Sequence, residues 1–363
     1  MTRPSDLASF RILDASANRA TEGLRTMEEF ARFVLEDRHL SEIAKQLRHD
    51  LRDAIHSIPE RERLLARSVT SDCGTTIEVA DELRRDDAVS VAQAAASRVQ
   101  EAVRCVEEYG KTIAGFDSRK VEAIRYRIYT LSAALLLLNS RVERLRKARL
   151  YLLLATDLNC DRFATHVEAM FRAGVDIIQL RDKKANDRLL YECSKIAADL
   201  ARRLGKLFVV NDRADIAAAV HASGVHVGQD ELPVEAARRI VGAHAMVGVS
   251  THDIDQAKAA VLDGADYIGC GPTFPSQTKS FDQFPGLEFL RQVRIEIALP
   301  AYAIGGIDQG NLIEVMETGV HGVAVSSAIL NITDPIDAAN WFHRTLLSSK
   351  SSVAPSLSTG TLE

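Results

Sequence analysis

Short, continuous runs of apolar residues recur eight times in the C-terminal part of the chain, and segments with helical spacing separate most of them. Strands that are buried on both faces of a parallel sheet show such continuous runs rather than an alternating pattern. The predicted strands are Leu150–Ala155, Val175–Leu180, Leu207–Val210, Val225–Val227, Met246–Val249, Tyr267–Gly269, Ala301–Ile304 and Gly322–Val325. A strand followed by a helix, repeated eight times, predicts a (β/α)8 TIM barrel of the α/β class.

The segments between these strands support the barrel. Helical periodicity is clearest in Arg188–Leu204, Val234–Val241, Asp255–Leu262 and Leu287–Val293. An open doubly wound sheet would carry a glycine-rich turn after its first strand. This chain has Thr156-Asp157-Leu158-Asn159 there, so the open sheet is disfavoured.

The N-terminal part has a different pattern, with long helical segments and no strand. Helices are predicted over Ser9–Leu35, Ser41–Ile58, Val89–Ile113 and Val121–Leu145. Residues 17–30 match residues 96–109, with Ala, Arg, Glu, Arg, Glu, Glu and an aromatic residue in the same register. An all-α helical bundle, built by duplication of a helical hairpin, is therefore predicted to precede the barrel.

Each copy of this repeat carries a stripe of alternating charges on one helix face, because residues three or four apart lie side by side. The two stripes are Arg19, Glu22, Arg25 and Glu29, and Arg98, Glu101, Arg104 and Glu108. They fit either a solvated face with ion pairs along each helix or a polar pocket between the two copies. In the second interpretation the segment Ser68–Thr75 would form a third wall.

The predicted domains are a helical bundle over 1–145, a basic linker over 146–149, a barrel over 150–347 and a disordered tail over 348–363. A length of 363 residues with 46% hydrophobic residues is enough for two cores. We expect the barrel segment expressed alone to keep its activity, since every motif used below lies inside it. The tail is rich in Ser and Thr and poor in apolar residues, which is typical of disorder.

Charge and cysteine content limit the function classes. A net charge of -5 gives no basic surplus for binding nucleic acid. The longest apolar run, Leu131–Leu138, is too short for a membrane span, and the N-terminal residues do not resemble a signal peptide. Five scattered cysteines without a CxxC pair indicate neither a disulfide framework nor a zinc site. A cytoplasmic location is expected, and a homo-oligomer is left open.

Polar clusters follow the predicted strands, where a TIM barrel builds its active site. They are Gln179–Lys183, Asn211–Arg213, Gly228–Glu231, Ser250–His252, Gly271–Lys279, Gly305–Gly306 and Ser326–Ser327. The chain is therefore predicted to be an enzyme. The glycine and serine pairs follow strands seven and eight, where barrels commonly bind phosphate through loop amides.

Two carboxylates and three cations indicate an anionic substrate. Asp212 and Glu231 follow neighbouring strands, and Mg²⁺ usually takes one or two carboxylates together with phosphate oxygens and water. Arg181, Lys183 and Lys279 come from the ends of strands two and six. The combination predicts a Mg²⁺ site that holds a diphosphate. Arg213 is left open, since pairing with a neighbouring carboxylate explains it equally well.

The ordered series of motifs resembles the thiamine-phosphate synthase family. The matching stretches are Gln-Leu-Arg-Asp-Lys, Val-Asn-Asp-Arg, Gly-Val-His-Val-Gly-Gln-Asp-Glu, Gly-Pro-Thr-Phe-Pro-Ser-Gln-Thr-Lys, Ala-Ile-Gly-Gly-Ile and Val-Ser-Ser-Ala-Ile. The resemblance covers Leu150 to Leu347. The N-terminal part resembles the helical extension fused to this synthase in some bacteria, whose activity stays open, with a pyrimidine-related role as one alternative.

The resemblance implies that the barrel joins an aminopyrimidine methyl diphosphate to thiazole phosphate and releases pyrophosphate. It places Gln179, Arg181, Lys183 and Asn211 on the pyrimidine diphosphate, Asp212 and Glu231 on Mg²⁺, Ser250 and Lys279 on the diphosphate, and Ser276, Thr278, Gly306, Ser326 and Ser327 on the thiazole phosphate. Lys279, Arg181 and Ser250 are the expected catalytic residues. The partners are these small-molecule substrates.

The sequence departs from the family at the second metal position, where aspartate is usual and this chain has Glu231 after Asp230. Either the loop retracts, or Asp230 takes the role, or the ligand acts through water. The role of His226 in the fourth strand is open. Two other functions remain as alternatives: an isomerase of thiazole phosphate, which needs an acid/base histidine and no diphosphate site, and a non-catalytic regulator that binds thiamine precursors.

Overall fold

The computed structural model of the chain describes residues 4–58, 60–67, 85–157, 159–275 and 284–348. Contacts within the chain divide it into two compact units. One unit is Met1–Ser140 with Glu296–Ala298, and the other is Arg141–Ile295 with Leu299–Glu363. None of the helices in the described ranges combines the length and the apolar character needed to cross a membrane.

The first unit is helical, as the periodicity predicts. Its helices are α1 (Pro4–Phe33), α2 (Arg38–Ile55), α3 (Glu60–Ala66), α4 (Ala88–Gly110) and α5 (Ser118–Leu145), the last of which ends in the second unit. Asp37 caps α2 by accepting a hydrogen bond from the amide of Leu40, and Asp87 forms a capping box with Ser90 at the start of α4. The seven-residue α3 was not predicted, because so short a helix shows little periodicity.

The two copies of the repeat pack through their apolar faces. A Cβ atom on Gly23 would lie 2.5 Å from Val99 Cγ2, so α1 and α4 approach each other closely at this point. Leu24 and Met27 of the same face are fully buried. All eight residues of the two charged stripes are exposed, which supports the solvated-face interpretation rather than a pocket between the copies. The proposed third wall falls on residues 68–75, outside the described residues.

The second unit is a closed barrel of eight parallel strands, paired in sequence order with β8 returning to β1. The strands are β1 (Leu150–Leu154), β2 (Ile177–Leu180), β3 (Leu207–Asn211), β4 (Gly224–Val227), β5 (Met246–Thr251), β6 (Tyr267–Cys270), β7 (Ala301–Ile304) and β8 (Gly322–Val325). The prediction of a TIM barrel after a helical domain is therefore confirmed.

Helices alternate with these strands. They are α6 (Cys160–Arg172), α7 (Asp187–Leu204), α8 (Ala214–Ala219), α9 (Val234–Val241), α10 (Ile254–Asp263), α11 (Gly286–Glu296), α12 (Leu312–Glu317), α13 (Ser327–Leu330) and α14 (Pro335–Ser348). Side-chain oxygens cap the N-termini of several of these helices. At the start of α7, for example, the Asn186 side chain accepts a hydrogen bond from the amide of Leu189. Within the described ranges, one helix follows each of β1 to β7, and both α13 and α14 follow β8.

Three tyrosine rings fill the lower interior of the barrel. Tyr151, Tyr267 and Tyr302 are almost fully buried, and their ring centroids lie 5.4 to 5.9 Å apart. Glycines make room for the rings: a Cβ on Gly248 would lie 2.1 Å from Tyr267 Cζ, and one on Gly322 would lie 2.9 Å from Tyr302 Cε1. Each of these two tyrosines thus lies beside a glycine on the neighbouring strand, where the missing side chain leaves space for the ring.

The N-terminal edge of the barrel includes residues that precede the first strand. Leu145 and Ala148 are buried in the same core cluster as the tyrosines. Tyr302 Oη donates to the carbonyl of Ala148 at 2.9 Å, and His321 Nε2 lies 3.0 Å from the carbonyl of Leu145. These residues close the bottom of the barrel.

We therefore expect a fragment of residues 141–348 to be more stable than one of residues 150–348. The shorter fragment loses the Leu145 side chain, and a deleted buried leucine typically costs about 2–5 kcal/mol. Thermal unfolding followed by circular dichroism compares the two directly. Equal melting temperatures would show that Leu145 and Ala148 contribute nothing to the barrel.

Candidate active site

The polar residues predicted from the strand ends lie at one mouth of the barrel. Gln179 is in β2, Asn211 ends β3 and Ser250 lies in β5, while Ser327 begins α13. The other described members, Arg181, Lys183, Asp212, Glu231, Gly306 and Ser326, follow their strands in the adjoining loops. Parallel strands in a closed barrel bring their C-terminal ends together. Ser276, Thr278 and Lys279 fall on residues 276–283, outside the described residues.

Lys183 joins the two predicted metal ligands. Its Nζ atom lies 3.8 Å from Asp212 Oδ2 and 3.6 Å from Glu231 Oε1. These separations are ion pairs rather than hydrogen bonds, and the Lys183 side chain is 61% exposed, so solvent weakens both. The loops after β2, β3 and β4 therefore bring one cation and two carboxylates to a single place.

Asp212 is held in an unusual backbone conformation. Its φ angle is +60°, in the left-handed region that non-glycine residues seldom adopt. Its amide donates to the carbonyl of His226 on β4 at 2.8 Å, which fixes the turn after β3. Burial and then the nearby charge of Glu231 raise the pKa of Asp212, while Lys183 and Arg181 act in the opposite direction. The two carboxylates thus repel each other in a site that favours a further positive charge.

The carboxylate of Glu231 folds back over the chain that precedes it. A Cβ atom on Gly228 would lie 2.2 Å from Glu231 Oε2, so only glycine leaves room for this conformation. Glu231 is partly buried, whereas Asp230 is exposed.

Arg213 pairs with neighbouring carboxylates, which was one of its two interpretations. Its guanidinium donates to Asp215 at 2.9 and 2.7 Å, and it also pairs with Asp187. These hydrogen bonds raise the pKa of Arg213. Its contacts therefore lie with α7 and α8 rather than with the carboxylate pair.

The loops after β7 and β8 lie on the other side of the mouth. Gly305 and Gly306 have φ angles of +98° and +67°. The carbonyl of Gly306 accepts from Asn311 Nδ2 at 2.8 Å, and Ser326 Oγ donates to the carbonyl of Leu153 at 3.0 Å. The Gly-Gly segment also holds the loop after β6, because the amide of Phe274 donates to the carbonyl of Gly305 at 3.0 Å. The backbone of the two loops is fixed by local bonds.

His226 lies under the mouth and bonds through both ring nitrogens. Nδ1 is 3.2 Å from Tyr267 Oη, and Nε2 is 3.0 Å from Ser250 Oγ. Burial, and to a smaller extent the charge of Arg181, lowers the pKa of His226 to about 4. The sequence did not predict these contacts with Tyr267, because the tyrosines look like ordinary apolar strand residues.

Taken together, the closed parallel barrel and its polar mouth define a TIM-barrel enzyme that follows a helical domain. A family model described as "Thiamine monophosphate synthase" matches residues 150–329, and a model of the ThiD2 family matches residues 11–134. The chain belongs to the thiamine-phosphate synthase family, and its barrel is a transferase that follows an N-terminal ThiD2 domain.

Two thiamine-phosphate synthases match nearly the whole chain, and a solved structure matches its barrel. The thiamine-phosphate synthase of Rhodopirellula baltica is 47% identical over 338 residues, which are 91% of this chain and 90% of that protein. The thiamine-phosphate synthase of Synechocystis sp. is 41% identical over 338 residues, or 93% of this chain and 96% of that protein. The solved thiamine phosphate pyrophosphorylase from Pyrococcus furiosus is 35% identical, with a TM-score of 0.50, and covers 57% of this chain and 98% of its own.

Gly306 offers a test of the loop after β7. A Cβ at this position would lie 2.7 Å from the carbonyl oxygen of Pro275, and the positive φ adds strain of about 1–3 kcal/mol. We expect Gly306→Ala to raise the KM for thiazole phosphate at least about tenfold, which corresponds to a loss within that range.

Gly310→Ala is the matched control, because a Cβ there meets only the side chain of Asp308, at 3.2 Å. It should keep the parent KM in steady-state assays of pyrophosphate release. Equal KM values for the two variants would remove Gly306 from the phosphate site.

Proposed function

We propose that the mouth of the barrel binds the aminopyrimidine methyl diphosphate and thiazole phosphate, and that it promotes their condensation with release of pyrophosphate. The observation that carries the proposal is the convergence of Asp212, Glu231 and Lys183 within ion-pair distance at the ends of three successive strands. Such a set of opposite charges suits a diphosphate that arrives with a divalent cation. Membership of the synthase family supports the reaction itself.

Mg²⁺ is the cofactor in this proposal. Two carboxylates fit Mg²⁺, which usually completes its shell with phosphate oxygens and water. The raised pKa of Asp212 beside Glu231 is consistent with a site in which a cation is the natural neighbour. When bound, Mg²⁺ would offset the charge of the diphosphate leaving group. Asp212 and Glu231 are the residues proposed to hold it.

The cations of the mouth take the diphosphate. Arg181 and Lys183 follow β2, and Lys279 from the loop after β6 is assigned to the same group on the sequence resemblance. Breaking the C–O bond to diphosphate leaves negative charge on the leaving group, and preorganised cations stabilise that charge in the transition state. Ser250 donates a hydrogen bond from its hydroxyl to the diphosphate, and Gln179 and Asn211 hold the pyrimidine. The aminopyrimidine can spread the positive charge that develops on its own methylene carbon.

The thiazole phosphate is assigned to the opposite side of the mouth. Gly306, Ser326 and Ser327 belong to the loops after β7 and β8, and Ser276 and Thr278 complete the proposed set. The positive φ of Gly306 turns the backbone sharply at this point. The two phosphate groups would then lie on opposite sides of the mouth, which leaves its centre for the thiazole nitrogen to reach the methylene carbon of the pyrimidine.

An acid/base histidine, which the isomerase alternative needs, finds no support in His226. Both ring nitrogens already bond to protein groups, and the lowered pKa of His226 keeps the ring neutral near pH 7. The regulator alternative differs from the synthase in one measurement, since only the synthase releases pyrophosphate from the two pure substrates.

A cytoplasmic location, a homo-oligomer and a pyrimidine-related role for the ThiD2 domain remain proposals from the sequence. The location is supported by the four described cysteines Cys105, Cys160, Cys193 and Cys270, which are all free thiols. A reducing compartment keeps thiols in this state.

We expect Asp212→Ala and Lys279→Ala each to lower turnover at least about a hundredfold, because Asp212 would hold the Mg²⁺ and Lys279 would itself stabilise the negative charge of the leaving group. Turnover is measured as pyrophosphate release at saturating Mg²⁺, with circular dichroism as the check on folding. Near-parent turnover in a folded variant would remove that residue from the proposed machinery. Arg213→Ala is a control, because its bonds lie with Asp187 and Asp215.

The second metal ligand is tested by titrating Mg²⁺ against activity in Asp230→Ala and Glu231→Ala. We expect only Glu231→Ala to weaken the apparent Mg²⁺ affinity, because Glu231 lies beside Lys183 whereas Asp230 is exposed. Weakened affinity in Asp230→Ala alone would transfer the ligand role to Asp230.

A further inference from the structure

Five polar side chains form one hydrogen-bonded chain through the interior of the barrel. Gln179 Nε2 donates to Tyr151 Oη at 2.8 Å, and Tyr151 Oη lies 2.9 Å from Tyr267 Oη. Tyr267 Oη lies 3.2 Å from His226 Nδ1, and His226 Nε2 lies 3.0 Å from Ser250 Oγ. The chain crosses β2, β1, β6, β4 and β5, and both of its ends are residues assigned to the substrate in the proposed function.

The hydroxyls of this chain are deeply buried, so their bonds matter. Gln179, Tyr151 and Tyr267 are at most 3% exposed. A buried hydroxyl without a partner costs free energy, and phenylalanine would fill the same space without that cost. Gly248 makes room for the Tyr267 ring, since a Cβ on it would lie 2.1 Å from Tyr267 Cζ. The strands are thus shaped around this chain of groups.

The direction of the hydrogen bonds follows from the amide at one end. The Gln179 amide nitrogen can only donate, so Tyr151 Oη accepts and its own proton goes to Tyr267 Oη. Tyr267 then donates to His226 Nδ1. A neutral imidazole has one donor and one acceptor, so His226 Nε2 donates to Ser250 Oγ. The hydroxyl proton of Ser250 is then free to be donated to a ligand in the mouth.

We propose that Tyr151, Tyr267 and His226 are positioning residues. Tyr151 and Tyr267 hold His226 as the Nε2–H tautomer, and His226 thereby directs the Ser250 hydroxyl proton to the diphosphate. The proposal rests on the proposed role of Ser250. The opposite direction would place the proton on Nδ1 and would make Ser250 donate to His226 instead. In that case the Ser250 proton would be lost to the substrate.

The first measurement needs no activity. Long-range ¹H–¹⁵N correlation spectra of the full chain distinguish the two imidazole tautomers, and His226→Gln identifies the His226 signals by their loss. We expect the Nε2–H pattern in the parent protein and in Tyr302→Phe. Tyr267→Phe removes the hydroxyl that donates to Nδ1, so His226 should populate both tautomers in this variant. A parent protein with the Nδ1–H pattern overturns the proposal.

The second measurement is kinetic. Loss of a hydrogen bond of ordinary strength corresponds to about tenfold. We expect Tyr267→Phe to lower kcat by about this factor while the KM for thiazole phosphate stays constant, because Ser250 serves the diphosphate. Tyr302→Phe is the matched control, since Tyr302 is equally buried but its hydroxyl bonds the carbonyl of Ala148, which also has His321 as a partner. It should keep the parent kcat.

Ser250→Ala separates failure of this inference from failure of the proposed function. If Ser250→Ala is impaired but Tyr267→Phe behaves like Tyr302→Phe, the positioning role is overturned and the site stands. If Ser250→Ala keeps parent turnover, the assigned role of Ser250 fails, and with it the purpose proposed for the tautomer. An impaired Ser250→Ala and Tyr267→Phe with the expected tautomer pattern support both.

Discussion

A polar group inside a barrel must find a partner there, and this requirement decides which residues the strands carry. Eight parallel strands enclose a space too narrow for water-filled channels, so side chains must fill it completely. This chain fills it with tyrosine rings, each of which brings a hydroxyl into the core. The hydroxyls bond to one another, to Gln179 and His226, and to a carbonyl before the first strand. The hydrogen bonds therefore hold the floor of the site in position.

The charged side chains at the mouth, above that floor, are paired loosely rather than held by short hydrogen bonds. Lys183 lies within 4 Å of both Asp212 and Glu231, yet its side chain is 61% exposed and makes neither contact at hydrogen-bond distance. Such pairs contribute little to stability. Little would therefore be lost if, as proposed above, the lysine turned to a diphosphate and a divalent cation took its place beside the carboxylates. A rigid polar floor under a loosely paired set of charges suits an enzyme that must bind and release a highly charged group.

The sequence predicted the barrel well because buried parallel strands leave a strong local signal. Ala301–Ile304 and Gly322–Val325 were predicted with the bounds that the structure shows. The prediction for β5 ended at Val249, two residues before the strand ends at Thr251, because the last two residues of the strand are polar. The gathering of Asp212 and Glu231 followed from neighbouring strands. The bond from Gln179 to Tyr151 did not, because a strand tyrosine reads as apolar and the partners are brought together only by barrel closure.

In the helical domain, too, the sequence predicted the helices but not the partners of their buried side chains. The repeat was visible in the sequence, and its stripes were interpreted either as solvated faces or as the walls of a pocket, but the partners of the more deeply buried charges were not predicted. The first glutamate of the Glu-Glu pair in each copy bonds to an arginine of the following helix: Glu28 to Arg48 at 3.0 Å, and Glu107 to Arg125 at 2.7 Å. Buried ion pairs add little net stability, but leaving one partner alone is costly. The duplicated feature that links successive helices is therefore this pair rather than the stripe.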